Sequence, residues 1–412
     1  MPYYAATGGD PAALLVGILS MVILLIVSGI LINLKVKELK IQMILYIMIL
    51  IQLIIVFIDN YITVFPLMGF DPRAFENLAW VSYENNINIG RGAYNYYILN
   101  PIYKLIKIRS AAVFGVINIF ANLLTNINMY EICKKLNIRK KSLYFLLLII
   151  ILSPISLIFR SGVLREAIII MFISFSLKSF INFCIGKNIF DMLKAFIYIV
   201  LGSIFHGGVI FIGFGYFIGL LGGKKNQKVF QIIFLLLSVI VFIIFKDHLL
   251  ESVGGGDIDK AVRLADIYSS LNDSGSGYLR GIQTESLGQI VMYLPLLMFY
   301  FLYSPTPELF RGILDIVTFL LNSTIFICFT IGSYYYYKKI RKSLTQIERK
   351  IIKCIFISVL LTTMVFSVGT RNSGTAIRHR DKVLPLLAII FIISKNKSDI
   401  LKERRKYDRT AY

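Results

Sequence analysis

Apolar runs of bilayer-crossing length recur from one end of this chain to the other. Those at 12–34, 41–58, 110–129, 166–184 and 309–337 meet or approach the ~20 residues that a helix needs to cross a hydrocarbon core about 30 Å thick. Inside that core each backbone amide must be satisfied within its own segment, so such runs fold as helices. With 57% of 412 residues hydrophobic and a mean hydropathy of +0.73, the chain has more apolar surface than a water-soluble fold can bury. It reads as an all-α polytopic integral membrane protein of about 11–13 transmembrane helices.

Charge sets the expected topology. A formal charge of +21 would suggest nucleic acid in a soluble protein. Here the cations cluster in short turns between apolar runs and in the tail 395–412, which is the positive-inside bias, and no nucleic-acid partner is expected. Lys35, Lys37 and Lys40 follow the first run, so the N-terminus is expected outside and the basic tail in the cytoplasm. The first ten residues hold no Lys or Arg, unlike a secretory leader, and 12–34 is expected to stay as an anchor. Residues 1–394 read as one helical domain carrying two long polar loops, 59–109 and 246–286. Loops of that length in a membrane protein are functional or disordered. The tyrosines and Trp80 of the first suggest an ordered, sugar-stacking or interface-lying segment.

One joint in this topology does not close. The basic stretch 338–353 belongs inside, yet counting single spans at 229–245, 287–303 and 309–337 puts it outside. Either 309–337 is a broken or re-entrant pair, with Ser304-Pro305-Thr306-Pro307 as the break, or His206 lies within one long continuous span.

Positive charge on outer segments is the main chemical signal. The short turn holding Arg160 and Arg165 and the segment 369–382, with Arg371, Arg378, Arg380 and Lys382, both oppose the positive-inside rule. A single such arginine reads as snorkelling to lipid phosphate. Two such segments read as an anion site, because guanidinium forks bind phosphate bidentately and keep their charge. His206, between Phe205 and a Gly-Gly pair, reads either as a buried helix-end histidine or as a base with room for a ligand beside it. His379, between two arginines, is the second candidate base. Asp71, Glu76 and Glu84 in the first loop read first as solvated charges, and Glu166 as a partner for Arg165. Asp257-Ile258-Asp259 matches the DxD of metal-dependent glycosyltransferases, a three-residue pattern of low specificity. The four cysteines are scattered, with neither disulfide nor metal spacing, and the three histidines make no ligand set. No metal or cofactor is expected.

The layout resembles the Wzy-type polymerases of bacterial surface polysaccharides (O-antigen and capsule), including EpsG-like proteins. The matching features are the long outer loop with Asp71 and Asn100-Pro101-Ile102-Tyr103, Arg160 and Arg165 opening a helix, and Phe205-His206 closing the next. Gly374-Thr375-Ala376-Ile377-Arg378-His379-Arg380 then leads through Leu384-Pro385 into the last span. Asn100-Pro101 stands where relatives show Glu-Pro, which removes an acid there. The resemblance implies a metal-independent, GT-C-like glycosyltransferase of the bacterial cytoplasmic membrane. It would move a growing glycan from undecaprenyl pyrophosphate onto the next lipid-linked repeat, on the extracytoplasmic side. Arg160, Arg165, Arg371, Arg378 and Arg380 would hold the pyrophosphate and His206 or His379 would take the proton, with Arg165 counted among the catalytic residues. Asp71, Tyr94 and Tyr103 would line a sugar-binding loop. Membrane lipids are implied partners, with a chain-length regulator protein as an optional one. Two rival readings share the span count or the chemistry: a flippase for the same lipid-linked oligosaccharide, which usually has short outer loops and two similar halves, and an O-antigen ligase. A membrane acyltransferase would want a histidine early in the chain, and none precedes His206.

Overall fold

The computed structural model describes residues 2–6, 8–68, 70–86, 93–151, 153–221, 276–279 and 286–410. Among them there is no β-strand, only an isolated bridge between Gly277 and Asn372. Among the described residues, six helices are long and apolar enough to cross a membrane: Pro11–Lys35, Leu39–Ile62, Ala111–Lys135, Glu166–Gly186, Ile313–Ile340 and Gln346–Val368. The protein is therefore an all-α polytopic membrane protein. The expected span 229–245, the Asp257–Asp259 motif and all of 246–286 except Ser276–Leu279 and Ser286 lie outside the described residues.

Local chemistry sets where the helices begin and break. Asp10 caps the first long helix, accepting from the Ala12 amide at 2.9 Å, with Pro11 at its first position. Thr345 and Glu348 form a reciprocal capping box that starts Gln346–Val368. The expected helix 142–158 is two pieces, Lys140–Ile151 and Pro154–Phe159, because Pro154 has no amide to donate and disfavours a helical residue before it. Residues 313–340 form one run with a π turn at Phe319–Ser323, not a broken pair. His206 has an extended backbone, φ −160° and ψ 105°, between helix Ile189–Phe205 and a 3-10 turn at Gly207–Val209, so it does not lie in a continuous span either. The first polar loop is largely helical, with Phe70–Glu84, a π turn at Asn95–Leu99 and Asn100–Ile106. Helix Leu384–Thr410 runs on from the last expected span into the basic tail.

The chain packs as two units, 1–132 with 144–174, and 133–143 with 175–412. In the first, an amide ladder at i, i+4 and i+8 runs down helix Ala111–Lys135. Asn118 donates to the carbonyl oxygens of Gly162 and Leu164 (2.8 Å to the latter), Asn122 donates to Gln52 Oε1 (3.0 Å), and Asn126 donates to the Asn122 carbonyl (2.9 Å). The Asn122–Gln52 bond joins two spans, one of the side-chain contacts that help hold helices together in lipid. In the second unit, Gly215 and Gly219 let helix Ile210–Leu220 lie directly on the backbone of Gln346–Val368, next to Ser358 and Cys354. Ser358 Oγ donates across that seam to the Ile212 carbonyl at 2.8 Å. Close approach through small residues is how spans gain dispersion contact when lipid is as apolar as they are. The apolar side chains left outside, such as Leu15, Leu19, Ile23, Ile26 and Ile30, are those a bilayer solvates.

Candidate functional site

The second unit brings both candidate bases together. His206 is placed by the end of helix Ile189–Phe205, where its amide donates to the Gly202 carbonyl at 3.2 Å. His379 lies in the last turn of the short helix Ser373–Arg380, whose start is capped by Asn372 through the amides of Gly374 (2.8 Å) and Thr375 (3.3 Å). The imidazole centroids are 4.9 Å apart and nearly perpendicular. Phe366 closes the third side, 4.8 Å from His206 and 5.6 Å from His379. The absent side chain of Gly208 makes room for the Phe366 ring, because a Cβ there would overlap Cε1. Thr370 Oγ1 lies 3.3 Å from His379 Nδ1, which fixes that ring's orientation. The fully buried Lys382 places Nζ 5.6 Å from the centre of the Phe366 ring.

A fragment of the second long loop braces this site. The Tyr278 amide donates to the Arg371 carbonyl (2.9 Å), its hydroxyl donates to the Thr370 carbonyl (2.6 Å), and the Ser373 amide donates to the Ser276 carbonyl (3.0 Å). Burial pushes the Tyr278 phenol well above its ordinary range, against the pull of Arg380 and Arg371, so it stays a hydrogen-bond donor. Arg371 and Arg378, both half-buried, flank Thr370 and His379 in sequence.

Arg380 has a different place from its neighbours. It is fully buried, and its guanidinium donates to Asn322 Oδ1 (3.0 Å from Nε), to the carbonyls of Leu302 (2.9 Å) and Ser304 (2.5 Å), and to Ser323 Oγ (3.1 Å). Those bonds tie the His379 helix to the π turn of Ile313–Ile340. Arg380 is engaged as a clamp within the protein.

The first unit holds the remaining candidates. Arg160 is 1% exposed and donates from Nη1 to Asn122 Oδ1 at 3.0 Å, so it is seated on the amide ladder. Arg165 is half-buried just ahead of Glu166, which is buried. Asp71 is half-buried in the first turn of Phe70–Glu84. Tyr94 and Tyr103 are core residues rather than sugar platforms: both rings are buried, and the Tyr103 hydroxyl donates to Glu76 Oε1 at 2.6 Å. Glu76 is not a solvated charge. It is 1% exposed and takes a two-point grip from Arg109, Nε and Nη2 each at 2.8 Å. Arg73 meets Asp59 at 3.3 Å and covers the Tyr3 ring.

Sequence reasoning missed Phe366, Thr370, Tyr278 and Asn322. None carries a local signature, since each matters only through what a distant segment brings to it. The Asn118, Asn122 and Asn126 ladder was findable, because three amides at helical spacing in an apolar run mark a buried polar face. Among the described residues no three His, Cys, Asp or Glu side chains converge to hold a metal. Two imidazoles beside a hydroxyl can accept and pass a proton, and cations such as Lys382 and Arg378 on the same segment can stabilise developing negative charge. Searches of protein-family models, curated proteins and solved structures find no match to this chain.

Proposed function

We propose that the chain is a GT-C-like glycosyltransferase of the bacterial inner membrane that joins undecaprenyl-pyrophosphate-linked repeat units on the extracytoplasmic side. The observation that carries this reading is the meeting of His206 with His379, 4.9 Å apart, the latter on a segment that also bears Arg371 and Arg378. The likeness to Wzy-type polymerases rests in part on His206 and on the Gly374–Arg380 segment that carries Arg378 and His379. In the reaction, the acceptor sugar's hydroxyl oxygen bonds to the anomeric carbon of the donor glycan. The bond from that carbon to the pyrophosphate oxygen breaks, and the hydroxyl proton passes to an imidazole. His379, oriented by Thr370, is the base, and His206 beside it supports the imidazolium that forms. Charge developing on the pyrophosphate is met by Arg371 and Arg378. Arg380 is a positioning residue, since it is engaged inside the protein next to His379.

The test uses purified full-length protein with a lipid-linked repeat as sole substrate, products being resolved as a glycan ladder. His379→Ala and His206→Ala should each slow ladder growth on the order of a hundredfold or more, the range of a general base. Full ladders from both variants would sink the assignment. In the host, loss of the gene should leave single repeats on the surface glycan. A flippase would instead strand repeats in the cytoplasmic leaflet, and a ligase would leave polymer on its lipid carrier.

A further inference from the structure

The last two turns of helix Ile313–Ile340 have a sharply two-sided character. One side is spent on helix Leu384–Thr410: Ser333 and Ile340 are buried, the Tyr336 ring meets Phe391 with centroids 5.8 Å apart, and Gly332 lies so close to Phe391 that a Cβ would come within 2.7 Å of its ring. That packing turns the opposite side outward. Tyr334 and Tyr335 are 68% and 59% exposed, and Lys338, Arg341 and Lys342 follow at i+4 and i+7 from them, also exposed. None of these three cations makes an ion pair among the described residues. The nearest acid in sequence, Glu348, is taken by Lys397 at 3.1 Å and by its own capping box.

Aromatic rings with polar tips lie at the level of lipid headgroups. A cluster of cations one turn beyond them stands where lipid phosphates are. From this geometry we infer that the outward face formed by Tyr334, Tyr335, Lys338, Arg341 and Lys342 is a binding surface for the headgroup of an anionic phospholipid. The tyrosines set its depth in the bilayer and the three uncompensated cations set its preference for negative charge. This inference does not depend on the glycosyltransferase reading.

Native mass spectrometry of the full chain in detergent, titrated with phosphatidylglycerol against phosphatidylcholine, tests it. Wild-type protein should retain phosphatidylglycerol preferentially. Replacing Lys338, Arg341 and Lys342 together by Gln should weaken that retention by about fivefold for each cation removed, on the order of a hundredfold in all. The charge-keeping pair Lys338→Arg and Lys342→Arg should keep it. Gln at Lys35, Lys37 and Lys40, an equal loss of exposed charge elsewhere, should leave it within twofold. Equal retention of both lipids, equal loss in the control, or displacement by inorganic phosphate would each overturn the inference. If the triple variant elutes as aggregate, Lys338→Gln with Lys342→Gln takes its place, and unchanged lipid preference there counts against the surface.

Discussion

Gly219→Ala is a substitution whose sign separates two physical effects. In an open helix it would stabilise by up to about 1 kcal/mol, because alanine is the better helix former. In this protein the added Cβ would lie 2.6 Å from both Cα and Sγ of Cys354, whereas ordinary contact begins near 3.4 Å. Because one of those atoms is backbone, no rotamer change relieves it, and the two helices must part by about 0.8 Å. A parting of that size stretches the Ser358–Ile212 bond from 2.8 Å beyond hydrogen-bonding range. Overpacking costs about 1–3 kcal/mol and the lost interhelical bond about 0.6 kcal/mol, so the net expectation is a loss of about 2 kcal/mol. Reversible unfolding in mixed micelles of a mild detergent and SDS reads this directly. Cys354→Gly should not rescue the variant, since Cα remains. Gly208→Ala, which meets only ring atoms of Phe366, should be rescued by Phe366→Leu. A Gly219→Ala protein as stable as wild type would refute the close backbone contact.

Other outcomes follow from the buried polar groups. Glu76→Gln breaks the two-point grip of Arg109, whose side chain is 24% exposed, and should cost about 2–3 kcal/mol, seen as a lower melting temperature and faster proteolysis within 70–109. Tyr103→Phe should cost about 1.5–3 kcal/mol at neutral pH, the worth of a bond to a charged group. Burial, with Glu76 adding to it, raises the Tyr103 phenol well above its ordinary 10.0. Its stabilising share is thus complete below pH 10 and lost as pH rises further, so Tyr103→Phe should flatten the alkaline decline in stability. Arg380→Lys keeps the charge but not the fork. It should lower stability by about 1.5–3 kcal/mol and, under the proposed function, shorten glycan ladders even with both histidines intact.

What was legible in the sequence tracks how local the determining physics is. Apolar length gave the helical membrane class, because the constraint acts within each segment. The helix Phe70–Glu84 escaped notice although its buried stripe, Pro72, Glu76, Ala79 and Ser82, has helical spacing. The stripe is not apolar, so hydrophobic periodicity cannot reveal it. Arg378 and Arg380 looked equivalent as letters, yet two residues along a helix point to different sides, leaving one half-buried and the other clamped inside. His206 and His379 were singled out separately by their settings. Their meeting depends on a packing of distant helices that no sequence window contains.

Helix Leu384–Thr410 begins four residues after Arg380 and continues unbroken for 27 residues, about 40 Å at 1.5 Å per residue. A helix of that length acts as a stiff pushrod. Axial or rotational displacement applied to the basic end arrives within a few residues of His379 instead of being absorbed by a flexible tail. A partner that held the tail would act through this rod on the segment carrying His379, at a distance set by the rod's length.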